Sequence, residues 1–284
     1  MRRLLVLAAA VALLVTGCSN PRSGTLGAAP TLAPSGSAAA TNPSSEGVPD
    51  PPDPTTRPGT ITIQVWFARD GRLSPTKRTR PATLATSRLA LTELTEGPSV
   101  AEAGSGLTTG VSGDAGFTIE GISGGVETVR FGPAFYAGAS GAVRLRQAQV
   151  VYTLTQFPTV SRVRFTGEGR PAGTPVGRGD FADLLPAIVV LDPVIGQRVT
   201  SPVTVTGTAD VFEATVNARL LDADGRPVAT AFTTASCGSG CRGDFRIRLP
   251  YRSGSGRAAT VEVYWVSPKD GSRLDVVTVP IDLA

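Results

Sequence analysis

The chain has no histidine among its 284 residues. This absence excludes a Ser-His-Asp or Cys-His catalytic arrangement, a His-ligated zinc ion and an imidazole general base. An enzyme with this sequence would have to use carboxylates, Lys, Tyr or Ser, and no pair of acidic residues stands out. The sequence therefore predicts a protein that is not an enzyme and that needs no cofactor and no metal ion.

Cysteine is also scarce, with three residues in the whole chain. Cys237 and Cys241 are separated by three small residues, which allow a tight turn closed by a disulfide. Such a pair is typical of an oxidising exterior, where disulfides persist. A redox-active pair or a metal site is the alternative. Redox pairs usually have two intervening residues, and a metal site would lack a His or a third Cys.

Positive and negative charges are nearly balanced over the chain. The formal net charge is +4, and no dense basic stripe with interleaved aromatic residues is present. The sequence therefore predicts no nucleic-acid partner. A mild excess of basic residues between positions 60 and 170 is a weak indication of an anionic membrane or wall polymer.

One long apolar run is present, at the N-terminus. Arg2 and Arg3 precede twelve apolar residues at positions 4–15. A helix needs about twenty residues to span a bilayer, whereas a run of twelve is typical of a secretory signal peptide. Residues 14–18, LVTGC, resemble a lipobox, which implies that Cys18 is acylated and becomes the mature N-terminus. This predicts a lipid-anchored protein on the extracytoplasmic side of the cell membrane; an ordinary cleaved signal and an N-terminal membrane anchor are the alternatives.

Residues 1–18 are the predicted signal peptide and lipobox. The composition divides residues 19–284 into four further segments. Residues 19–59 hold nine prolines and few large apolar residues, which predicts a disordered tether. Residues 60–167 show the order β-β-α-β-β-α-β, which predicts an α+β domain with a mixed sheet and two helices. Residues 168–186 are rich in Gly and Pro and form the predicted linker. Seven strand-like runs in residues 187–284 predict an all-β, immunoglobulin-like sandwich.

Both predicted domains resemble known families. Residues 60–167 resemble the GerMN domain of sporulation and germination proteins through TITIQVWFARDGRL, the basic run KRTRP, and above all residues 94–98 and 153–158. Residues 187–284 resemble the immunoglobulin-like domain of bacterial spore germination through LDPVIGQRVTSPVTVTGTADVFEATVNARLLDADG and CGSGCRGDFRIRLPY. The resemblance implies a binding or assembly module of the cell envelope and brings no catalytic motif with it.

Three residues are candidate contacts for a partner. Trp66 and Phe67 are neighbours on one strand, so one of them must face away from the core on that side, and an exposed aromatic there would be a contact. Phe212 and Glu213 lie between two strands of the C-terminal domain. The Glu213 carboxylate either contacts a partner or accepts a hydrogen bond from the local backbone, and we expect the second.

These observations predict a non-enzymatic, lipid-anchored envelope protein that presents two interaction domains. Its partner is expected to be another envelope protein or a second copy of itself. The first alternative is a module that binds peptidoglycan or another wall polymer. The second is an envelope hydrolase, which requires two carboxyl groups roughly 5–9 Å apart in one cleft.

Overall fold

A computed structural model describes residues 59–252 and 257–284 of the chain. The predicted signal peptide, Cys18 and nearly all of the predicted tether lie outside the described residues. The described residues belong to one compact unit that begins at Thr55. None of the helices within 59–252 and 257–284 is long and apolar enough to cross a membrane.

The N-terminal half begins with a long hairpin of β1 (Thr60–Arg69) and β2 (Arg72–Pro81). The strands pair in register from Thr60 opposite Pro81 to Arg69 opposite Arg72. Asp70 and Gly71 form the turn, and both have positive φ, which two-residue hairpin loops require. The Asp-Gly pair therefore predicts the turn correctly.

Three helices follow this hairpin at intervals: α1 (Thr86–Glu96), α2 (Val100–Gly104) and α3 (Ser140–Leu154). The short α2 is not among the predicted helices. It begins with a capping box, in which the Glu102 backbone N–H donates to the Ser99 hydroxyl and the Glu102 carboxylate accepts from the Ser99 backbone N–H. The two arrangements satisfy backbone donors at the helix start and stabilise a helix too short to persist alone.

A second sheet contains β3 (Phe117–Ser123), β4 (Val126–Phe131) and β5 (Arg162–Gly167). Strand β3 pairs antiparallel with β4, whereas β4 pairs parallel with β5, and α3 makes the crossover that a parallel pair needs. The α+β class of this half, with a mixed sheet and helices, is confirmed. Its five strands form two separate sheets rather than one continuous sheet.

The C-terminal half is all-β, as predicted. Its strands are β6 (Ile188–Asp192), β7 (Arg198–Val199), β8 (Val203–Ala209), β9 (Thr215–Leu221), β10 (Pro227–Thr234), β11 (Gly243–Leu249), β12 (Arg257–Val266) and β13 (Arg273–Leu283). Five of them form a sheet in the order β10-β9-β12-β13-β7, and three form a sheet in the order β11-β8-β6. Their inward side chains, such as Leu220, Leu249 and Val261, share one core, which confirms an immunoglobulin-like sandwich.

The predicted linker packs onto the N-terminal half. Val176 forms a β-bridge with Val163 of β5. A 3-10 segment, Arg178–Leu184, buries the Phe181 side chain in the N-terminal core. The connection between the two halves is therefore anchored along its length.

Candidate functional site

Polar side chains of α3 and of the residues just after it form hydrogen bonds with backbone N–H and carbonyl groups of β1. The Gln156 carboxamide accepts from the Gln64 backbone N–H at 2.7 Å and donates to the Gln64 carbonyl at 2.6 Å. Two residues along, the Trp66 backbone N–H donates to the Thr153 hydroxyl at 3.0 Å, and Gln149 donates to the Trp66 carbonyl at 3.2 Å. The helix thus supplies the hydrogen bonds that a neighbouring strand would make. The 153–158 signature therefore has a structural role.

Trp66 is not a surface residue. Only 3% of it is exposed, its ring lies 4.8 Å from the ring of Tyr152, and its Nε1 donates to the Gln64 side chain. Phe67 is fully buried on the other face of the strand. The expectation that one of these two aromatic residues is exposed is wrong, because β1 is covered on both faces. Trp66 is thereby excluded as a partner contact.

The basic run of the sequence signature forms a buried ion-pair cluster. Arg78 donates to both carboxylate oxygens of Glu102, at 2.7 and 2.6 Å, and Arg80 donates to both of Glu93, at 2.6 and 2.8 Å. Arg78 Nε also lies 3.5 Å from Glu93, and Thr76 donates to Glu102. The side chains of Glu93 and Glu102 are nearly inaccessible to solvent. The cluster therefore joins β2 to α1 and α2.

The electrostatics of this cluster keep Glu102 ionised. Burial alone would raise the pKa of Glu102, but hydrogen bonds from Arg78, Thr76 and the Ser99 backbone lower it to about 2. A carboxyl that acts as a general acid near neutral pH needs a raised pKa instead. Glu102, which is held ionised, is therefore unsuited to be the acid of a hydrolytic pair.

Basic side chains also join the two halves of the compact unit. Lys77 of β2 forms an ion pair of 2.5 Å with Asp192 at the end of β6. Arg72, at the start of β2, donates to the Asp183 and Leu185 carbonyls at 2.7 and 3.2 Å. Apolar packing accompanies these bonds, since Val189 of β6 belongs to the N-terminal core. The seam fixes the hairpin against the sandwich.

A cleft of about 250 Å³ lies beside this seam. The Arg69 Nε is buried there without a hydrogen-bond partner among the described residues, and Nη1 reaches the Thr278 carbonyl at 3.4 Å. Burial lowers the pKa of Arg69, and the nearby Asp70 opposes that change. Ligand pockets usually enclose about 300–1,000 Å³, so this cleft is small for one. Its apolar wall includes Leu73, Ile188, Val190, Ile195, Val277 and Val279.

The disulfide loop packs against the turn that carries Phe212 and Glu213. Cys237 and Cys241 are bonded, with Cα atoms 5.6 Å apart. Ser239 inside the loop donates its backbone N–H to the Val211 carbonyl, and its hydroxyl accepts from the Glu213 backbone N–H, both at 3.0 Å. The bridge therefore stabilises this turn as well as its own loop.

Phe212 and Glu213 themselves reach the surface. Phe212 is 46% exposed, and Glu213 is exposed with a left-handed backbone, φ +51°. The Glu213 carboxylate has no hydrogen-bond partner among the described residues, so the expected bond from the local backbone is not made. The backbone N–H of Glu213 is the bonded group instead. Both side chains are accessible, as a contact site requires.

Two family models match the chain. Residues 54–173 match the model described as sporulation and spore germination, and residues 187–272 match the immunoglobulin-like domain of bacterial spore germination. This chain pairs a GerMN domain with a spore-germination immunoglobulin-like domain. No curated protein matches the sequence.

Solved structures of GerMN domains are similar to part of the chain. The tandem GerMN domains of the sporulation protein GerM from Bacillus subtilis share 24% identity, with a TM-score of 0.34 over 42% of this chain and 45% of that one. The first GerMN domain of GerM alone shares 20% identity, with a TM-score of 0.34 over 42% of this chain and 95% of that one. This chain therefore spans less than half of the tandem structure.

A third buried carboxylate in the GerMN domain is Glu127 of β4. It is fully buried, and burial raises its pKa, while a 3.1 Å hydrogen bond from the Ser87 hydroxyl opposes that rise. Its Oε1 has no partner in the described part of the chain, and the residue does not line the cleft beside the seam. Within 59–252 and 257–284, no group of three His, Cys, Asp or Glu side chains is placed to hold a metal ion.

Exposed large apolar side chains are present on both domains: Leu84 and Val100 of the GerMN domain are the most exposed, but the immunoglobulin-like domain has the larger number. Eight large apolar residues are exposed among the described residues, and five of them belong to this domain. Phe232 of β10 has the greatest exposure of the five, 72%. Scattered exposed apolar residues are ordinary, but a large aromatic on a regular strand is a candidate contact. The five are Phe212, Val228, Phe232, Val266 and Val276.

Proposed function

We propose that this protein is a lipid-anchored component of the cell envelope. It displays the GerMN domain and the immunoglobulin-like domain on the extracytoplasmic side, where the immunoglobulin-like domain binds another envelope protein or a second copy of the chain. The proposal assigns no catalytic step to the protein. The domain families, which come from sporulation and germination proteins, support this role.

The N-terminal sequence supports the location. Two arginines, twelve apolar residues and the lipobox-like LVTGC end at Cys18, and a proline-rich segment separates Cys18 from the first strand. A flexible segment of 41 residues would have a root-mean-square span of about 35–40 Å, which lifts the domains clear of the headgroups. The Cys237–Cys241 disulfide is consistent with an oxidising compartment.

The observation that carries the binding role is the exposure of two aromatic side chains on the immunoglobulin-like domain. The signature residues of the GerMN domain bond within the fold, whereas the immunoglobulin-like domain presents Phe212 and Phe232 to solvent. The seam at Lys77 and Asp192 holds the second domain against the first, so its surface is presented in a defined orientation. Preorganised surfaces lose less conformational entropy on binding.

The location is tested by replacing Cys18. We expect Cys18→Ala to release the protein from the membrane fraction or to stall it as an unprocessed precursor, whereas Ser19→Ala leaves it membrane-bound. Cell fractionation with immunoblotting measures both. A Cys18→Ala protein that remains in the membrane at the normal mature size would contradict lipid anchoring.

The binding role is tested by in-cell crosslinking followed by mass spectrometry, with wall sedimentation in parallel. We expect crosslinks to envelope protein or to the chain itself, and fewer of them in a Phe212→Ser, Phe232→Ser variant. Recovery with purified cell wall, unaffected by this variant, would favour the wall-polymer alternative and contradict the proposal.

A further inference from the structure

Several sheet edges in the described part of the chain are covered or charged. Side chains of α3 and the residues after it cover β1, and Val176 bridges to β5. The open edge β11 carries three exposed charged side chains, and β3 carries exposed Glu120 beside a bulge. Charges, bulges and covering groups are the devices that prevent strand edges from pairing with another chain. The charges on β11 are Asp244, Arg246 and Arg248.

Strand β10 lacks these devices over most of its length. Its eight residues, PVATAFTT, contain no charged side chain, and β9 is its ladder partner on one side only. Pro227 and a bulge at Val228 interrupt its first two residues. From Ala229 to Thr234 it pairs regularly with β9, so its outer edge is a straight row of backbone donors and acceptors.

The exposed face of β10 is apolar at its centre. Thr230, Phe232 and Thr234 point to solvent, and Phe232 is 72% exposed. The alternate residues Ala229 and Ala231 face the core and are only partly buried. A strand laid along this edge would therefore cover both the aromatic ring and the two alanines.

We propose that β10 pairs antiparallel with β10 of a second copy of the chain, which joins two five-stranded sheets into one. A second β10 is a suitable partner because it is also uncharged, so pairing buries no charged side chain of either strand. A two-fold axis places the same surface of both copies in contact. On the outer face, Phe232 then lies opposite Thr230, Phe232 or Thr234 of the other copy, which are favourable cross-strand neighbours. The inference rests on the proposed function in one respect, since anchoring confines both copies to one surface and raises their effective concentration.

Position-specific disulfide crosslinking of the full chain in cells tests this pairing. Residues 229–234 are replaced by Cys one at a time, an oxidant is added, and the dimer is measured on non-reducing gels. In a two-fold antiparallel pair, a residue two positions from the axis is about 13 Å from its own mate along the strand, beyond the roughly 7 Å limit for a disulfide. We therefore expect one strong position with a steep decline on both sides.

Two controls make the outcome decisive. Arg246→Cys on the charged edge β11 should form no dimer. Phe232→Lys combined with the strongest Cys position should abolish the dimer while the monomer stays at its normal level; where Phe232→Cys is the strongest position, Thr230→Lys takes the place of Phe232→Lys. A chain that crosslinks at none of the six positions, or equally at all six and at Arg246→Cys, would overturn the proposal. The scan is then repeated in the Cys18→Ala background, with membrane and soluble fractions analysed separately. The fraction that holds the protein reports lipid anchoring, and the dimer band reports strand pairing. The two hypotheses can therefore fail independently.

Discussion

Replacing Glu102 with Gln measures what the buried ion-pair cluster contributes to stability. The carboxylate accepts two hydrogen bonds from Arg78 and further bonds from Thr76 and the Ser99 backbone. The carboxamide introduced by Glu102→Gln can still accept from Ser99 or Thr76, but it cannot pair with both arms of the guanidinium. The substitution therefore removes the charge with little change in volume.

The magnitude follows from the pKa of Glu102, which is lowered from 4.5 to about 2 in the folded protein. A difference of that size corresponds to about 3 kcal/mol of folding free energy at pH 7. Because the folded pKa lies below the unfolded one, this stability is present above pH 4.5 and is lost as the pH falls towards 2. At pH 3 about 1 kcal/mol of it should remain.

Urea unfolding of residues 55–284, followed by tryptophan fluorescence, checks this. Glu102→Gln should lower the free energy of unfolding by about 3 kcal/mol at pH 7 and by about 1 kcal/mol at pH 3. The control is Glu120→Gln, which breaks the exposed pair with Arg130 and should cost less than about 1 kcal/mol. A loss below about 1 kcal/mol at pH 7, or a loss that does not shrink at pH 3, would refute the reasoning.

Two further predictions concern single contacts. Gln156→Leu should lower the free energy of unfolding by about 2–4 kcal/mol, because it leaves both the N–H and the carbonyl of Gln64 without their partner. Urea unfolding measures the loss, and an unchanged urea midpoint would contradict the prediction. Replacing both Cys237 and Cys241 with Ser should lower the free energy of unfolding by about 2 kcal/mol, because a closed loop this short restricts the unfolded chain only slightly. Complete unfolding or failed secretion of the double variant would contradict this estimate.

The sequence predicts the elements well where the signal is local. Alternating apolar residues with Asp70-Gly71 predict the first hairpin, and runs of β-branched residues predict the strands of the sandwich. The apolar spacing of residues 141–157 predicts the second helix, which corresponds to α3 and ends earlier, at Leu154. The S-x-x-E pattern at Ser99 and Glu102 is a local signal for the start of α2, although five residues are too few for a clear periodicity.

Long-range contacts are what the sequence does not reveal. Trp66 is predicted as a possible exposed contact because a strand is expected to bury only one of its faces. In the structure α3 covers the second face through Tyr152, which lies 86 positions away in the chain. The bonds from Gln156 to Gln64 likewise join a helix end to a strand across a long sequence separation. The sequence does not single out Phe232 either, since only the sheet order reveals that β10 is an uncharged edge.

The charged side chains of β11 also determine how large an assembly could become. A molecule with two adhesive edges on its sandwich adds copies at both ends and grows into a fibre. Here Asp244, Arg246 and Arg248 make the open edge β11 unsuitable for strand pairing. When β10 is the edge that pairs, as proposed, β11 offers no second pairing edge, and association through these two strands stops at two copies.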